Sequence, residues 1–361
     1  MKIAIVPFST ELENNKIFNP TAAQNRDDCL GPYREMKQEL LQNGAEIFTA
    51  DQERDSHIDI LIFLRFDLKY LLHYVFRLPN VRLIYMAFEP PVVQPLHYYS
   101  KLKLLSKVFD IVFTFYDDLV DNKQFQKLYY PVSMSIKKTE CLDYQSRELI
   151  TAIVGDKKSK RKGELYSSRR EALTFFTNKY PTFKFYGSAW SQKEFSSYAG
   201  PVQNKQVVLS GYKFAICFEN QRELVGLISE KIFDCFYAQV VPVYIGAKNV
   251  EEYFPPLTFI DGRKFENYEA LNAYILGMSE EEYSLRISAI NEYLKSPNRK
   301  LFTGQKLAQQ ILNLESKPKT VSKYFRKSII AIFLFISLWF QKVLHKLKKL
   351  TANTFAYLYW K

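Results

Sequence analysis

The stretch that decides the fold is Lys213-Phe-Ala-Ile-Cys-Phe-Glu-Asn220, followed by Ser229-Glu-Lys-Ile-Phe-Asp234 and by Val240-Val-Pro-Val-Tyr-Ile-Gly246. The first and third segments are short apolar runs of the kind that form strands buried on both faces. The middle segment begins with Ser and Glu, which are typical of a helix N-terminus. Charged and amide side chains meet where these elements join: Glu219, Asn220, Glu230 and Lys231. Because ligands bind at the carboxyl ends of parallel strands, this pattern predicts a nucleotide site.

The same alternation of strand and helix extends along most of the 361 residues. A first series of apolar runs predicts strands at 3–6, 46–49, 58–64, 81–88 and 110–115. A second series predicts strands at 149–154, 183–186, 214–218, 240–245 and 258–260, followed by a helical stretch over 268–314. Amphipathic segments such as Tyr33 to Asn43 lie between the strands and predict helices that cover them. The order predicts an α/β protein with parallel sheets.

This length fits two domains and an appendage, and the alternation of strand and helix predicts that both domains are Rossmann-like. The polar, Lys-rich segment 156–163 predicts a loop beside the domain boundary. We therefore expect a first domain over 1–148, a second domain over 149–316 and a separate tail over 317–361. Two domains that face each other would form a cleft, with one ligand bound on each wall.

The formal net charge of +12 is concentrated at the C-terminal end of the sequence. From Ser316 onwards there are ten Lys or Arg residues and no Asp or Glu, which leaves +2 for everything before it. A nearly balanced globular part offers no basic stripe for a phosphate backbone, and we expect no nucleic-acid partner. The four cysteines show no spacing typical of a zinc site.

The tail has the composition of an amphipathic membrane anchor. Residues 328–340 carry no charge, but thirteen residues of helix measure only ~20 Å against a bilayer core of ~30 Å. Basic residues flank this segment, and anionic lipid attracts such clusters. Because the N-terminus enters a strand without the features of a signal peptide, we expect peripheral attachment to the cytoplasmic face of a membrane. The alternative is a helix that packs on the protein itself or on a partner subunit.

An anionic ligand would have to be held by side chains, because the sequence contains neither of the common glycine-rich phosphate loops. Lys231 falls in the first turn of the helix predicted over 230–237, where the helix dipole also favours an anion. Arg169 and Arg170 are further candidates. Glu89 follows an apolar strand and precedes two prolines, which would place an acid at the cleft. The alternative for Lys231 and the two arginines is a solvated surface charge, and the alternative for Glu89 is a loop acid that caps neighbouring amides.

The order of Phe218-Glu-Asn220, Ser229-Glu-Lys231 and Pro242-Val-Tyr244 closely resembles the donor-binding motif of the α-1,3-fucosyltransferases, glycosyltransferase family 10. The segments Tyr253-Phe-Pro-Pro256 and Phe259-Ile-Asp-Gly-Arg263 extend this likeness. The resemblance implies a GT-B fold and inverting transfer of L-fucose from GDP-β-L-fucose to an oligosaccharide or glycolipid acceptor. O3 of GlcNAc in lipopolysaccharide or another surface glycan is the acceptor it favours. It implies no cofactor and no metal requirement.

The resemblance also implies roles for the charged residues of the cleft. Glu89 would be the general base that deprotonates the acceptor hydroxyl, and Lys231 would contact the donor diphosphate. Arg169 precedes Tyr186-Gly187 as the family arginine precedes its Tyr-Gly, and it would neutralise the β-phosphate as GDP leaves. Arg170 is adjacent in sequence and stays an alternative donor-binding residue.

For the remainder of the donor, the resemblance implies that Asn220 contacts the nucleotide and Glu230 the hydroxyls of ribose or fucose. The chain departs from the family at Leu227, where Tyr is common, and at Ser229, which replaces Thr. Leu227 lacks a stacking or hydroxyl contact, which keeps open transfer from a different GDP-sugar. A non-catalytic, membrane-tethered glycan-binding protein is an alternative from another class, and its function would need neither a base nor a phosphate-binding cation.

Overall fold

The computed structural model describes residues 1–52, 57–78, 80–140 and 142–314, and its first half is built around a parallel sheet. In chain order the strands are β1 Lys2–Val6, β2 Glu46–Thr49, β3 Ile60–Phe63, β4 Arg82–Ala87, β5 Ile111–Thr114 and β6 Phe125–Lys127. They pair in the order β2-β1-β3-β4-β5-β6, and every neighbouring pair is parallel. This confirms the α/β class predicted for the first half.

The strands of this sheet are apolar on both sides, so both faces must be covered. The helices of this half are α1 Gly31–Gln42, α2 Leu68–Arg77 and α3 Tyr99–Leu105. Alternate residues of the strands enter two separate cores. One core holds Ala4, Val6, Leu61 and Phe63. The other holds Ile3, Ile5, Ile60 and Ile62.

The second half contains a four-stranded parallel sheet. Its strands are β7 Glu148–Thr151, β8 Tyr212–Phe218, β9 Val241–Ile245 and β10 Ile260–Asp261, in the order β10-β9-β8-β7. Its helices are α4 Tyr166–Lys179, α5 Lys205–Leu209, α6 Glu230–Tyr237, α7 Tyr268–Gly277 and α8 Glu280–Lys295. The segment quoted first therefore forms β8, α6 and β9, as the sequence predicted.

The strand predicted at 183–186 is wrong as a strand. This segment makes only single-residue bridges, between Tyr186 and Ile153 and between Phe185 and Tyr198. Phe183 and Phe185 are buried, which explains the apolar pattern, but Gly187 has a φ of +140° and turns the chain before a ladder can extend. The segment thus serves as a buried turn at the edge of the second core.

The predicted helical stretch over 268–314 is divided, and its last helix returns to the first domain. This helix, α9 Gly304–Leu312, packs on α1. A Cβ at Gly304 would lie 1.9 Å from the carbonyl oxygen of Pro32, so only glycine permits this approach. The backbone N–H of Gly304 donates to Glu35 at 3.2 Å. By packing, α9 belongs with the first half, although the sequence-based division placed it in the second.

The predicted tail, residues 317–361, lies outside the described residues. Across the ranges that the structure does describe, no helix is both long enough and apolar enough to cross a membrane. Attachment of the tail to a membrane surface therefore stays a prediction.

The loop between β8 and α6 is fixed to the first domain beside the cleft. Leu227 is 3% exposed and packs in a core of the first domain. Lys127, on β6, donates to the carbonyl of Gly226 at 3.3 Å, to Asp117 at 2.6 Å and to the Tyr253 hydroxyl at 2.6 Å. These contacts set the position of one domain relative to the other at the site described next.

Candidate active site

Glu219, the residue after β8, organises the N-terminus of α6. Its side chain is buried, and its carboxylate accepts from the Ser229 backbone N–H at 2.9 Å and from the Ser229 hydroxyl at 2.7 Å. The ammonium of Lys231 donates to the same carboxylate at 3.1 Å. Because a buried carboxylate must be hydrogen-bonded and paired, these contacts tie the end of β8 to the start of α6.

Lys231 and Glu230 form a charged pair in the first turn of α6. Lys231 Nζ lies 3.1 Å from Glu219 and 3.8 Å from Glu230. Burial disfavours the ammonium, but Glu219 and Glu230 outweigh this effect and raise the pKa of Lys231. Burial also disfavours the Glu230 carboxylate, yet Lys231 and Lys205 hold the pKa of Glu230 below its usual value. Both groups are therefore charged at neutral pH.

Arg169, on α4, also reaches the end of β8. It is 4% exposed, and its Nη2 donates to the Phe218 carbonyl at 2.7 Å and to the Asn220 side-chain oxygen at 2.9 Å. Its buried Nε has no hydrogen-bond partner among the described residues. Burial lowers the pKa of Arg169 below its ordinary value, with Glu219 opposing the shift. A buried cation with an unused N–H is suited to an anionic ligand.

Arg170 occupies different surroundings, because successive helical residues point ~100° apart. Its guanidinium pairs with Asp156 at 2.7 Å and with Glu194, and it stacks over Trp190 at 4.8 Å from the ring centre. It does not line the cavity that Arg169 borders. The structure thus distinguishes two arginines that the sequence did not, although their roles in donor binding stay predictions.

Glu89 lies on the first-domain wall of one cavity that also contains the second-domain charges. This cavity has a volume of about 210 Å³. Five of the six residues nominated from sequence line it: Glu89, Arg169, Asn220, Glu230 and Lys231. Burial raises the pKa of Glu89; the charge of Lys231 opposes this shift, and that of Glu230 reinforces it. The structure therefore brings a carboxylate of raised pKa to face a cluster of cations.

The loop that follows Glu89 is held by the second domain. The Val92 backbone N–H donates to the Gln221 side chain at 3.0 Å, and Arg161 donates to the Val92 carbonyl at 2.8 Å. Gln221 also donates to the Lys162 carbonyl at 3.2 Å. Gln221 directly follows Phe-Glu-Asn220, so one side chain connects that motif with the loop of Glu89. Sequence reasoning missed Gln221 and Arg161, because the contacts of both are to backbone atoms.

The cavity is balanced in charge when all its groups are ionised. Three cations line it: Lys157, Arg169 and Lys231. Three carboxylates face them: Glu89, Glu219 and Glu230. Glu219 is engaged by Ser229 and Lys231, whereas the pKa of Glu89 is raised. Protonation of Glu89 is therefore the event that changes the charge balance of the cavity. Within the described part of the chain, no group of three or more His, Cys, Asp or Glu is placed to hold a metal ion.

A second cavity of about 330 Å³ adjoins the first and shares Gly155, Lys157, Glu230 and Lys231 with it. Lys205 and Asp234 border this second cavity and pair at 2.7 Å. Burial raises the pKa of Asp234 to about 6, although Lys205 opposes the shift. Sequence reasoning missed this pair. The spacing of Glu230 and Asp234 by four residues, which puts both on one helix face, was a usable signal.

Leu227, at which the sequence departs from the family motif, contacts both a hydrophobic core and the first cavity. Its side chain packs in the first domain's core, and it also borders the first cavity. The residue therefore contributes an apolar surface at the place where the family commonly has Tyr. This gives the wall no hydroxyl at that point.

Parts of the sequence are similar to known glycosyltransferases. Residues 148–287 match the family model of the glycosyltransferase family 10 (fucosyltransferase) C-terminal domain. A stretch of 74 residues is 38% identical to the α-(1,3)-fucosyltransferase FucT of Helicobacter pylori, covering 20% of this chain and 15% of that protein. A stretch of 73 residues is 36% identical to an α-(1,4)-fucosyltransferase of Arabidopsis thaliana, covering 20% of this chain and 18% of that one. The matched stretches thus span less than a fifth of these curated relatives.

Solved structures show the same fold over nearly the whole described chain. An α1,3-fucosyltransferase solved with GDP-fucose superposes with a TM-score of 0.54 at 16% identity, covering 89% of this chain and 92% of that one. HepE of Anabaena, solved with UDP, superposes with a TM-score of 0.52 at 11% identity, covering 86% of this chain and 98% of that one. The predicted fold class is confirmed, because the chain has a GT-B fold, and the resemblance to glycosyltransferase family 10 is confirmed by the match over residues 148–287.

Proposed function

We propose that this protein is an inverting α-1,3-fucosyltransferase that moves L-fucose from GDP-β-L-fucose to a hydroxyl of a glycan acceptor. The observation that carries the proposal is the cavity of about 210 Å³ in which Glu89 of the first domain faces Arg169 and Lys231 of the second. The family 10 match and the fucosyltransferase names of the curated relatives support the choice of donor.

The leaving group is GDP, and negative charge builds on its β-phosphate as the bond to fucose breaks. Arg169 and Lys231 would stabilise that charge, because both cations are held in position before the reaction begins. The first turn of α6 adds the positive end of its dipole beside Lys231. We propose that Asn220 contacts the nucleotide and that Glu230 contacts the hydroxyls of ribose or fucose. The adjoining cavity of about 330 Å³ would then receive the nucleoside.

Glu89 would accept the proton of the acceptor hydroxyl while that oxygen attacks the anomeric carbon. Attack from the face opposite the departing GDP inverts the configuration, and the electron pair of the broken bond leaves with the β-phosphate. Burial already raises the pKa of Glu89, and a diphosphate bound beside it would raise this pKa further. A carboxylate of raised pKa is a stronger base, provided that it is ionised at the working pH.

The acceptor belongs to the same proposal. We place the new bond on O3 of GlcNAc in an oligosaccharide or glycolipid, as part of lipopolysaccharide or another surface glycan. The α-1,3 linkage in the name of the Helicobacter pylori relative supports this choice. The α-1,4 linkage in the name of the Arabidopsis relative makes O4 the first alternative to test.

The tail and the absence of a cofactor are further parts of the proposal. We propose that residues 317–361 bind an anionic membrane at its cytoplasmic face, on the strength of their ten basic residues. Sedimentation with anionic vesicles should be lost when the chain is truncated after Ser316, and a truncated protein that still sediments would contradict the anchor. We also propose that Arg169 and Lys231 suffice without a metal, so turnover should survive EDTA.

The test is a screen of GDP-fucose, GDP-mannose and a UDP-sugar against an N-acetyllactosamine acceptor, followed by nucleotide release and product mass. The proposal expects GDP release and one added deoxyhexose with GDP-fucose alone. A different GDP-sugar is the second candidate, favoured by Leu227 at the cavity wall. Turnover with that sugar and not with GDP-fucose would replace the first choice. A non-catalytic glycan-binding protein would bind the acceptor and turn over no donor.

A further inference from the structure

His97 is a buried histidine that holds the backbone of the loop carrying Glu89. It ends the short 3₁₀ helix Pro95–His97 and is 3% exposed. Its Nδ1 lies 2.5 Å from the carbonyl oxygen of Glu89, and its Nε2 lies 2.8 Å from the hydroxyl of Tyr85 on β4. One imidazole ring therefore connects the strand with the loop that follows it.

Only one arrangement of protons on a neutral ring satisfies both contacts. A carbonyl oxygen can only accept, so Nδ1 carries the hydrogen and donates to Glu89. Nε2 of the neutral ring then presents a lone pair and accepts from the Tyr85 hydroxyl. Burial lowers the pKa of His97 to about 4, with the Glu89 carbonyl opposing the shift, so the ring is neutral at physiological pH. The bond to Glu89 is consequently made with one defined tautomer.

The sequence of the loop leaves it without backbone donors directly after the acid. Pro90 and Pro91 directly follow Glu89, and neither has a backbone N–H to donate. The second domain holds the loop three residues further on, at Val92, through Gln221 and Arg161. The bond from His97 acts on the peptide group of Glu89 itself. It is the anchor that the first domain supplies at the acid.

We propose that His97 is a positioning residue for fucosyl transfer: its Nδ1–H fixes the Glu89 peptide so that the carboxylate faces Arg169 and Lys231 across the cavity. The inference rests on the proposed role of Glu89 as the base. His97 is buried and does not line the cavity of about 210 Å³, so its contribution is geometric. A misplacement of ~1 Å at a reacting group can cost ~100-fold in rate.

A matched pair of amide substitutions separates the two bonds of the ring. The side-chain amide of His97→Asn reaches the place of Nδ1 and can donate to the Glu89 carbonyl. That of His97→Gln reaches the place of Nε2 and can contact only Tyr85. Both variants lose one hydrogen bond and ring volume, so a merely structural role predicts equal losses. We expect His97→Asn to keep kcat within ~5-fold, and His97→Gln to lose ~30-fold or more with little change in KM for GDP-fucose.

Amide hydrogen exchange gives a readout that does not depend on turnover. Exchange at residues 92–94 should accelerate in His97→Gln and stay near the wild-type rate in His97→Asn. Equal exchange in the two variants, or equal losses of kcat in variants that melt at the wild-type temperature, would overturn the inference. If the wild-type protein transfers no fucose, the proposed function fails, and the exchange comparison alone decides whether His97 anchors the loop.

Tyr85→Phe covers the case in which substitutions of His97 prevent folding. This variant removes only the bond at Nε2 and leaves the Nδ1–H to Glu89 in place. We expect kcat within ~5-fold of the wild type and unchanged exchange at residues 92–94. A folded Tyr85→Phe protein that loses ~30-fold or more in kcat would contradict the assignment of the positioning contact to Nδ1.

Discussion

The two walls of the cleft hold their functional groups by different means. On the second-domain wall, Lys231, Glu219 and Arg169 are placed by direct contacts among charged side chains and the ends of β8 and α6. On the first-domain wall, Glu89 stands in a loop whose backbone is held from both sides, by His97 and through Val92. The contacts on the second-domain wall determine the charges that face the cavity, and the contacts on the first-domain wall determine the position of Glu89. Substitutions on the two walls should therefore fail in different ways.

The largest effect is expected on the first-domain wall. Glu89→Gln removes the proposed proton acceptor and should lower kcat by ~100-fold or more, because general-base catalysis contributes ~10²–10⁴. The size and polarity of the side chain are kept, so KM for GDP-fucose should change little. Steady-state kinetics with GDP-fucose measures both values. Glu46→Gln, on the exposed start of β2, is the matched control and should match the wild type. Wild-type activity of Glu89→Gln would contradict the role of Glu89 as the general base.

The pH dependence gives a second view of Glu89. Burial raises the pKa of this group above its ordinary value of 4.5, and the base must be deprotonated to act. Activity should therefore rise with pH through a midpoint above 4.5 and fall as pH drops below it. The residual activity of Glu89→Gln should lack this acidic limb. A limb that persists unchanged in the variant would belong to another group.

A somewhat smaller effect is expected on the second-domain wall. Lys231→Ala removes the cation that would stabilise the leaving group. It also leaves Glu219 and Glu230 without their cationic partner, so kcat/KM should fall by ~10²–10³. Lys231→Arg keeps the charge and should recover part of the loss. Lys264→Ala, an exposed lysine of the same domain, controls for a general loss of charge. Equal activity of Lys231→Ala and Lys264→Ala would contradict phosphate binding by Lys231.

The adjacent arginines of α4 offer a sharper comparison on one wall. Arg169→Lys should lose ~10-fold or more in kcat/KM, because lysine cannot reproduce the contacts to Phe218 and Asn220 together with one to phosphate. Arg170→Lys should stay within ~3-fold, since its partners are Asp156 and Glu194. Kinetics and melting temperatures of the two variants decide the matter. A larger loss in Arg170→Lys would reverse the assignment.

The smallest effect is expected at the contact between the two walls, where Gln221 of the second domain binds the loop of Glu89. Gln221→Leu leaves the buried Val92 N–H unsatisfied, at a cost of ~1–3 kcal/mol, and should lower kcat by a few-fold as the loop of Glu89 loosens. Gln221→Glu keeps the acceptor oxygen and should lose less. Stopped-assay kinetics and melting curves of both variants make the test. If Gln221→Leu equals the wild type in both, the second domain does not hold this loop.

The second-domain wall was largely predictable from sequence, and the reason is local. β8, α6 and β9 follow one another within 34 residues, and the cap at Ser229 and the apolar runs determine their ends. Glu89 was predictable as a residue at the end of β4. The sequence did not predict that Glu89 faces Lys231 across one cavity, because that arrangement depends on the fold.

The remaining features depend on contacts that leave no pattern in the sequence. The choice between Arg169 and Arg170 depends on the rotation of α4, a helix whose apolar face is weakly marked. His97 and Gln221 act on backbone atoms, which any residue supplies, and Gln221 meets Val92 across 129 residues of chain. The return of α9 to α1 depends on close approach at Gly304, which a helical pattern does not reveal.

The central claim is that the second domain binds the diphosphate while the first supplies the base. Equilibrium titration of GDP into the wild type, Glu89→Gln and Lys231→Ala tests it most directly. We expect Glu89→Gln to bind GDP as tightly as the wild type or more tightly, because a negative charge has been removed beside the phosphates. We expect Lys231→Ala to bind GDP ~10-fold or more weakly. Equal weakening in both variants, or wild-type affinity in Lys231→Ala, would contradict the claim.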